Sequence, residues 1–170
     1  MFRVGVITAS DKGARGERED TSGPALMKLV QGLGGEVLEY EVLPDDQKLL
    51  AEKMCRWADE VGLDLILTTG GTGFSMRDVT PEATLSVADR LVPGIAEVMR
   101  MESLRVTPKA MLSRAVAVLR KQTLIINMPG SPKAVRECFA AIAPAITHGI
   151  QILKGEASEC AAAPTPTNED

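Results

Sequence analysis

The segment Thr68–Thr84, TTGGTGFSMRDVTPEAT, concentrates the residue types best suited to chemistry. Gly70, Gly71 and Gly73 permit backbone torsions closed to other residues and let a ligand approach the main chain. Successive N–H groups in such a turn can form an anion-binding nest. Thr69 and Thr72 add hydroxyl donors. Arg77 and Asp78 set a cation beside an anion, and Thr80, Pro81 and Glu82 follow at a helix start. The spacing is neither that of a P-loop, G-x-x-x-x-G-K-[ST], nor that of the G-x-G-x-x-G dinucleotide fingerprint. Taken alone, the segment serves equally well as a plain Gly-rich turn. Strand end, Gly cluster, Arg–Asp pair and helix start within one short span together favour a binding loop.

Three further loops share this character. Asn127–Lys133 (NMPGSPK) again leads from a strand end through Pro129 and Gly130 to a helix start. Its N–H groups, the Ser131 hydroxyl and Lys133 suit a phosphate. By itself it fits a simple β–α turn with Ser131 as N-cap better still. Thr8, Ser10, Asp11 and Lys12 follow the first strand, and Pro44, Asp45 and Asp46 follow the second. For Asp45, helix capping competes evenly with a metal-binding or positioning role. Loops at the C-terminal ends of parallel strands converge on one edge, which is where ligands bind in open α/β sheets.

The residues that are scarce narrow the mechanism. His148 is the single histidine and falls near the end of a helical region, so no Ser-His-Asp or Cys-His arrangement can be built at these loops. Chemistry without a strong base fits better. A phosphate attacking a phosphoryl group qualifies, because its second pKa of about 6 leaves it largely ionised at neutral pH. The protein must then position two anions and neutralise growing charge, with carboxylates on Mg²⁺, N–H nests, and Lys or Arg.

The elements that position these loops read as an α/β fold. Phe2–Thr8 is a short apolar, β-branched run and a buried strand; Ala9–Gly23 is polar and Gly-rich, a loop. Thr21 or Ser22 caps a helix with Pro24 in its first turn, which Gly34-Gly35 stops. Glu36–Val42 is a second strand, and Asp45 or Asp46 caps a second helix carrying Leu49, Leu50, Met54, Trp57, Ala58 and Val61 on one face. Leu63–Thr69 is the third strand, and the alternation implies a parallel sheet with helices on both faces. A helix runs from Pro81 to about Arg90, and another from Pro93 to about Arg105. Ala115–Leu119 and Thr123–Asn127 are adjacent antiparallel strands, or the first finishes a helix. A last helical region starts at Pro132, with a break or kink at Pro144. Residues 155–170 read as a disordered tail behind a single domain spanning 1–154.

Composition excludes several classes. The 170 residues are 45% hydrophobic and 25% charged, an ordinary globular balance. Aromatics make up 3% and the net charge is −4, which supplies neither a stacking platform nor a basic surface for nucleic acid. Cys55, Cys138 and Cys160 are odd in number and widely spaced, so a reducing, cytoplasmic setting is the simpler expectation. The first residues read as a strand rather than a signal peptide, and no run reaches the length of a membrane span.

TTGGTG (Thr68–Gly73), RDVTPEAT (Arg77–Thr84), PGIAE (Pro93–Glu97), LSRA (Leu112–Ala115) and NMPGSPKA (Asn127–Ala134) occur in this order behind VITASDKGARGEREDTSG. With these motifs the chain resembles the MogA/MoaB family of molybdopterin-binding proteins, up to about Lys154. The resemblance implies a three-layer α/β/α sandwich with a mostly parallel central sheet, and a homotrimer or sometimes a hexamer. It also implies an adenylyltransferase of molybdenum-cofactor biosynthesis that uses ATP and Mg²⁺ to adenylylate molybdopterin, ahead of a molybdate-insertion enzyme. Asp45 and Asp78 match the family's two functional aspartates, for Mg²⁺ and transition-state positioning. Gly70–Gly73 match the nucleotide and pterin phosphate site, and Ser113, Arg114, Ser131 and Lys133 match positions on the molybdopterin side. A non-catalytic MoaB-like pterin-binding protein is the alternative, set against the retention of both aspartates. A nucleotide-binding regulator is a weaker third reading.

Overall fold

The computed structural model describes residues 1–156. Its strands and helices alternate as β1 (Phe2–Ala9), α1 (Asp11–Ala14), α2 (Ser22–Gly32), β2 (Gly35–Leu43), α3 (Gln47–Arg56), β3 (Leu65–Thr69), α4 (Thr80–Ser86), β4 (Arg90–Leu91), α5 (Pro93–Leu104), β5 (Ala117–Arg120), β6 (Thr123–Met128) and α6 (Pro132–Leu153). A π-helical turn, Trp57–Val61, prolongs α3, and a 3₁₀ turn, Pro108–Leu112, precedes β5. One six-stranded sheet takes the order β2-β1-β3-β6-β5-β4. β2, β1, β3 and β6 run parallel, and β5 is antiparallel to both its neighbours.

The period-2 geometry of the strands divides the core into two layers. Val4, Val6, Leu65, Leu67, Leu124 and Ile126 meet α2, α5 and α6 on one face. Ile7, Ile66, Val118 and Ile125 meet Leu50, Met54, Trp57 and Ala83 of α3, its π-turn and α4 on the other. This is the expected three-layer α/β/α sandwich, and the continuous apolar strands follow from burial on both faces. Among the described residues no helix is long and apolar enough to cross a membrane.

Several boundaries differ from the sequence reading. The loop expected over Ala9–Gly23 contains α1, capped by Ser10, whose Oγ accepts from the Gly13 N–H at 3.0 Å. Thr21 occupies the cap position of α2 but makes no side-chain cap bond. Asp20 does that work, its Oδ1 accepting from the N–H groups of Ser22 (2.9 Å) and Gly23 (3.1 Å). The third strand starts at Leu65, and the helix expected from Pro81 to Arg90 closes at Ser86, because Arg90–Leu91 pair with β5 instead. The two apolar runs after Ala115 are antiparallel strands. No break occurs at Pro144, and α6 continues through it. Pro144 and Ala140, whose carbonyl loses its helical donor, both lie on the exposed side, so water can solvate that oxygen. Phe139, Ile142, Ile146 and Ile150 carry the buried stripe across the site. His148 sits on the exposed face of the same helix. The tail expected over 155–170 lies outside the described residues from position 157 onward.

Candidate active site

Parallel β1, β2, β3 and β6 deliver all four loops to the C-terminal edge of the sheet. There they surround a cavity of about 470 Å³ lined by Thr8, Ser10, Asp45, Thr69, Gly70, Gly71, Asp78, Gly130 and Ser131 of the expected residues. A second cavity, of about 290 Å³, takes Thr72, Gly73, Ser113 and Pro129. The same two loops, after β3 and after β6, therefore contribute to both cavities. They are fastened to each other where the Thr69 hydroxyl donates to the Pro129 carbonyl at 2.7 Å. The Ser22 hydroxyl donates to the Gly130 carbonyl at 2.8 Å and ties in the start of α2.

The glycines of the β3 loop are required by contact. Gly70 has φ +92°, and a Cβ there would stand 2.4 Å from the Ala9 carbonyl oxygen. Gly71 has φ +65°, and a Cβ would meet Thr80 Oγ1 at 2.3 Å and Asp45 Oδ1 at 3.0 Å. The Gly71 carbonyl accepts from the Thr80 N–H (3.1 Å), and the Thr72 carbonyl from the Arg114 N–H (3.0 Å). Planar trans peptides then turn the N–H groups of Thr72 and Gly73 the opposite way, away from those partners.

Asp46 resolves the competition over helix capping. Its Oδ1 accepts from the Leu49 N–H at 3.0 Å and caps α3, leaving Asp45 free of that duty. Asp45 Oδ2 accepts from the Asp11 N–H (3.0 Å), and Asp11 Oδ1 accepts from the Asp45 N–H (3.0 Å). Asp45 Oδ1 is buried and has no hydrogen-bond partner, and the same holds for Thr80 Oγ1 beside it. Burial raises the Asp45 carboxyl above its ordinary value. The Asp11 N–H opposes the rise, and the nearby Asp11 and Asp78 charges reinforce it. Asp11 itself is lowered to about 2, chiefly by the Arg77 guanidinium, which grips both its oxygens at 2.9 Å. Arg77 and Asp11 thus bridge the β3 and β1 loops at the rim.

Asp78 lies one turn further along the β3 loop. Its Oδ2 accepts from the Ser75 N–H at 2.9 Å, and Gly73 leaves room for it, since a Cβ there would come within 2.9 Å. Glu82 pairs with Arg114, whose Nε donates to the Gly73 carbonyl (2.7 Å) and Nη2 to the Asp78 carbonyl (2.6 Å). Lys133 reaches Glu137 along α6 and lines neither cavity. Ser131 lines the first cavity and also caps α6, accepting from the Ala134 N–H at 3.2 Å.

Sequence reasoning missed the wall between α1 and α2, where Arg18, Glu19, Asp20, Thr21 and Ser22 line the first cavity. Asp20 is its keystone. Beyond the cap of α2, its Oδ2 accepts from the Thr8 and Tyr40 hydroxyls, each at 2.6 Å. An Asp directly before a Thr-Ser-Gly-Pro helix start was the available signal. Arg100, Thr107 and Lys109 in the second cavity carried none.

The N-terminus of α6 opens on the first cavity, and such an end attracts anions through the helix dipole, whereas the Asp20 carboxylate already occupies the Ser22 and Gly23 N–H groups at the start of α2. Four acidic residues, Glu19, Asp20, Asp45 and Asp78, line the same space. No cluster of three or more His, Cys, Asp or Glu able to hold a metal occurs among the described residues. Carboxylate oxygens such as those of Asp45 and Asp78 suit a hard cation that completes its shell with water and phosphate oxygens. The arrangement can hold a polyphosphate between the N-terminus of α6 and a carboxylate-bound cation.

Residues 5–148 match the family described as a probable molybdopterin binding domain. A molybdopterin adenylyltransferase of Helicobacter pylori J99 is 43% identical over 156 residues, covering 91% of this chain and 89% of that protein. Its counterpart in Escherichia coli K12 is 42% identical over 174 residues, covering 94% and 89%. The crystal structure of the molybdopterin biosynthesis enzyme MoaB from Thermus thermophilus superposes with a TM-score of 0.87 at 52% identity, covering 91% of this chain and 98% of that one. The chain therefore belongs to the MogA/MoaB family of molybdopterin-binding proteins.

Proposed function

We propose that the protein catalyses a step of molybdenum-cofactor biosynthesis, the transfer of AMP from ATP to the phosphate of molybdopterin. An oxygen of the pterin phosphate attacks the α-phosphorus of ATP. The bond from that phosphorus to the bridging oxygen breaks, and pyrophosphate leaves with the electron pair. No general base is required, because the attacking phosphate is already ionised, and the site contains no histidine. The observation that carries this reading is the buried, unpartnered Oδ1 of Asp45, which shares one cavity with Asp78 and the N-terminus of α6. The adjoining second cavity gives room for two substrates meeting at the Gly70–Gly73 loop. The curated relatives named molybdopterin adenylyltransferase support the same reaction.

Asp45 and Asp78 would hold Mg²⁺, which supplies charge neutralisation to the phosphoryl oxygens. The loop N–H groups and the N-terminus of α6 orient the phosphates, and Gly71 lets them approach the main chain. The adenylylated pterin then passes to a molybdate-insertion enzyme. A cytoplasmic setting fits Cys55 and Cys138, both free thiols. The protein works as a homotrimer, which Val98, Met101 and Leu104 support, since all three are apolar and exposed on α5; a hexamer is the other assembly of the family. Light scattering at micromolar concentration tests this, and a monodisperse monomer would refute it.

The decisive test mixes the purified protein with molybdopterin, ATP and Mg²⁺ and follows adenylylated pterin and pyrophosphate. Product that disappears without Mg²⁺ is expected. Pterin binding without product would instead favour a binding-only member.

A further inference from the structure

We infer that Arg114 is the positioning residue for Asp78, acting by clamping the loop that carries it. Four contacts define the clamp. The Arg114 N–H donates to the Thr72 carbonyl at 3.0 Å. Nε donates to the Gly73 carbonyl at 2.7 Å, and Nη2 to the Asp78 carbonyl at 2.6 Å. Nη1 pairs with Glu82 Oε1 in the first turn of α4. One rigid guanidinium therefore binds both ends of the Gly73–Asp78 loop and anchors them to the helix that follows.

Little else secures this loop. Phe74 and Met76 at its tip are 68% and 95% exposed, so no core packing holds it. Its internal bonds join Asp78 to Ser75, through Oδ2 (2.9 Å) and through the Asp78 N–H to the Ser75 carbonyl (2.9 Å). They fix the carboxylate relative to the loop and not relative to the cavity. The Arg77–Asp11 pair is the other tie, and Arg77 is largely exposed. The direction in which Asp78 faces is therefore inherited from Arg114. Only a planar fork can serve two carbonyls and a carboxylate in fixed directions, and a lysine ammonium cannot reproduce it. These acceptors take three of the five guanidinium N–H groups, so clamping the loop is the role the geometry gives Arg114, in addition to the substrate-side position that family resemblance suggests.

This inference rests on the proposed use of Asp78 in adenylyl transfer, and the test separates the two. Arg114→Gln, Asp78→Asn and the double variant are assayed with ATP, Mg²⁺ and molybdopterin, and pterin affinity is measured by direct titration. Arg114→Gln is expected to lower kcat on the order of 100-fold, the loss that a misplacement near 1 Å produces. KM and Kd for molybdopterin should stay within about threefold of the parent, since substrate binding is untouched. The Mg²⁺ concentration for half-maximal rate should rise. The double variant should be no slower than Asp78→Asn, because a clamp has nothing to position once the carboxylate is gone. Losses that multiply, or a pterin affinity that falls with kcat, would overturn the clamp. Full turnover in Asp78→Asn would instead overturn the role given to Asp78. Should Arg114→Gln fail to fold, Glu82→Gln and Arg114→Lys carry the same comparison, and unchanged Mg²⁺ dependence in both counts against the inference.

Discussion

Replacing Gly70 by alanine tests whether the β3 loop is locked against β1 by contact. The residue has φ +92°, and the added Cβ would lie 2.4 Å from the main-chain oxygen of Ala9. Ordinary carbon contacts begin at 3.4 Å, so the chain must open by about 1 Å. Left-handed backbone costs a residue with a side chain roughly 1–2 kcal/mol, and overpacking adds about 1–3 kcal/mol. Gly34 supplies the control. Its φ is +86°, nearly the same, but nothing lies within 4 Å of its Cβ position. Gly34→Ala should therefore show the backbone cost alone, and Gly70→Ala about 1–3 kcal/mol more. For a chain of this size that difference lowers Tm by a further ~2–12 °C. Ala9 stands between Thr8 and Ser10 in the cavity wall. Turnover of Gly70→Ala should thus fall on the order of 100-fold, while Gly34→Ala keeps parental turnover. Thermal melts and the adenylylation assay measure both quantities. Equal melting temperatures for the two variants, or full turnover in Gly70→Ala, would refute the close approach as the reason for glycine.

The neighbouring aspartates should behave oppositely. Asp46→Ala removes the cap of α3, costing about 1 kcal/mol in a denaturation curve with turnover unchanged. Asp45→Asn should abolish turnover and leave Tm equal or higher. The folded Asp45 carboxyl lies above its ordinary 3.8, so the folded state binds its proton more tightly than the unfolded state does. Its charge therefore costs stability at neutral pH, and the cost is relieved as pH falls through the folded value. Melts at several pH values check the sign, and a lower Tm for Asp45→Asn at pH 7 would contradict it. Asp20 runs the other way. Burial raises its carboxyl, but the Thr8 and Tyr40 hydroxyls and the Gly23 and Ser22 N–H groups outweigh that and leave it below 3.8. Its stabilisation is present above 3.8 and lost as pH falls through the folded value. Asp20→Ala should cost about 1–3 kcal/mol at pH 7 and flatten the acid side of the stability profile, as followed by circular dichroism.

Much of the fold was legible because burial on both faces forces β1, β3 and β6 into unbroken aliphatic runs, and because glycine and proline punctuate each turn. Convergence of the loops followed from topology alone. What escaped depends on partners distant in sequence. Arg90 and Leu91 carry no strand signal, being exposed and paired only because β5 offers them an edge. Pro144 suggests a break that the helix avoids by turning the orphaned carbonyl toward water. Asp45 and Asp46 look equivalent in a string of letters, and only the folded chain distinguishes them, by the Leu49 N–H that Asp46 caps and the approach of Asp11 to Asp45. Arg114 was legible as a motif residue, but not as a clamp, because its acceptors are main-chain carbonyls of Gly73 and Asp78.

If carboxylates on the Gly-rich edge drive adenylyl transfer, Asp78→Asn must abolish it. Parent and variant would be compared at saturating ATP and Mg²⁺, with pterin binding measured on the same preparations. Loss of adenylylated molybdopterin and pyrophosphate in the variant, with pterin affinity retained, is the expected result. Undiminished turnover in Asp78→Asn, or a parent protein that binds the pterin and forms no product, would contradict it.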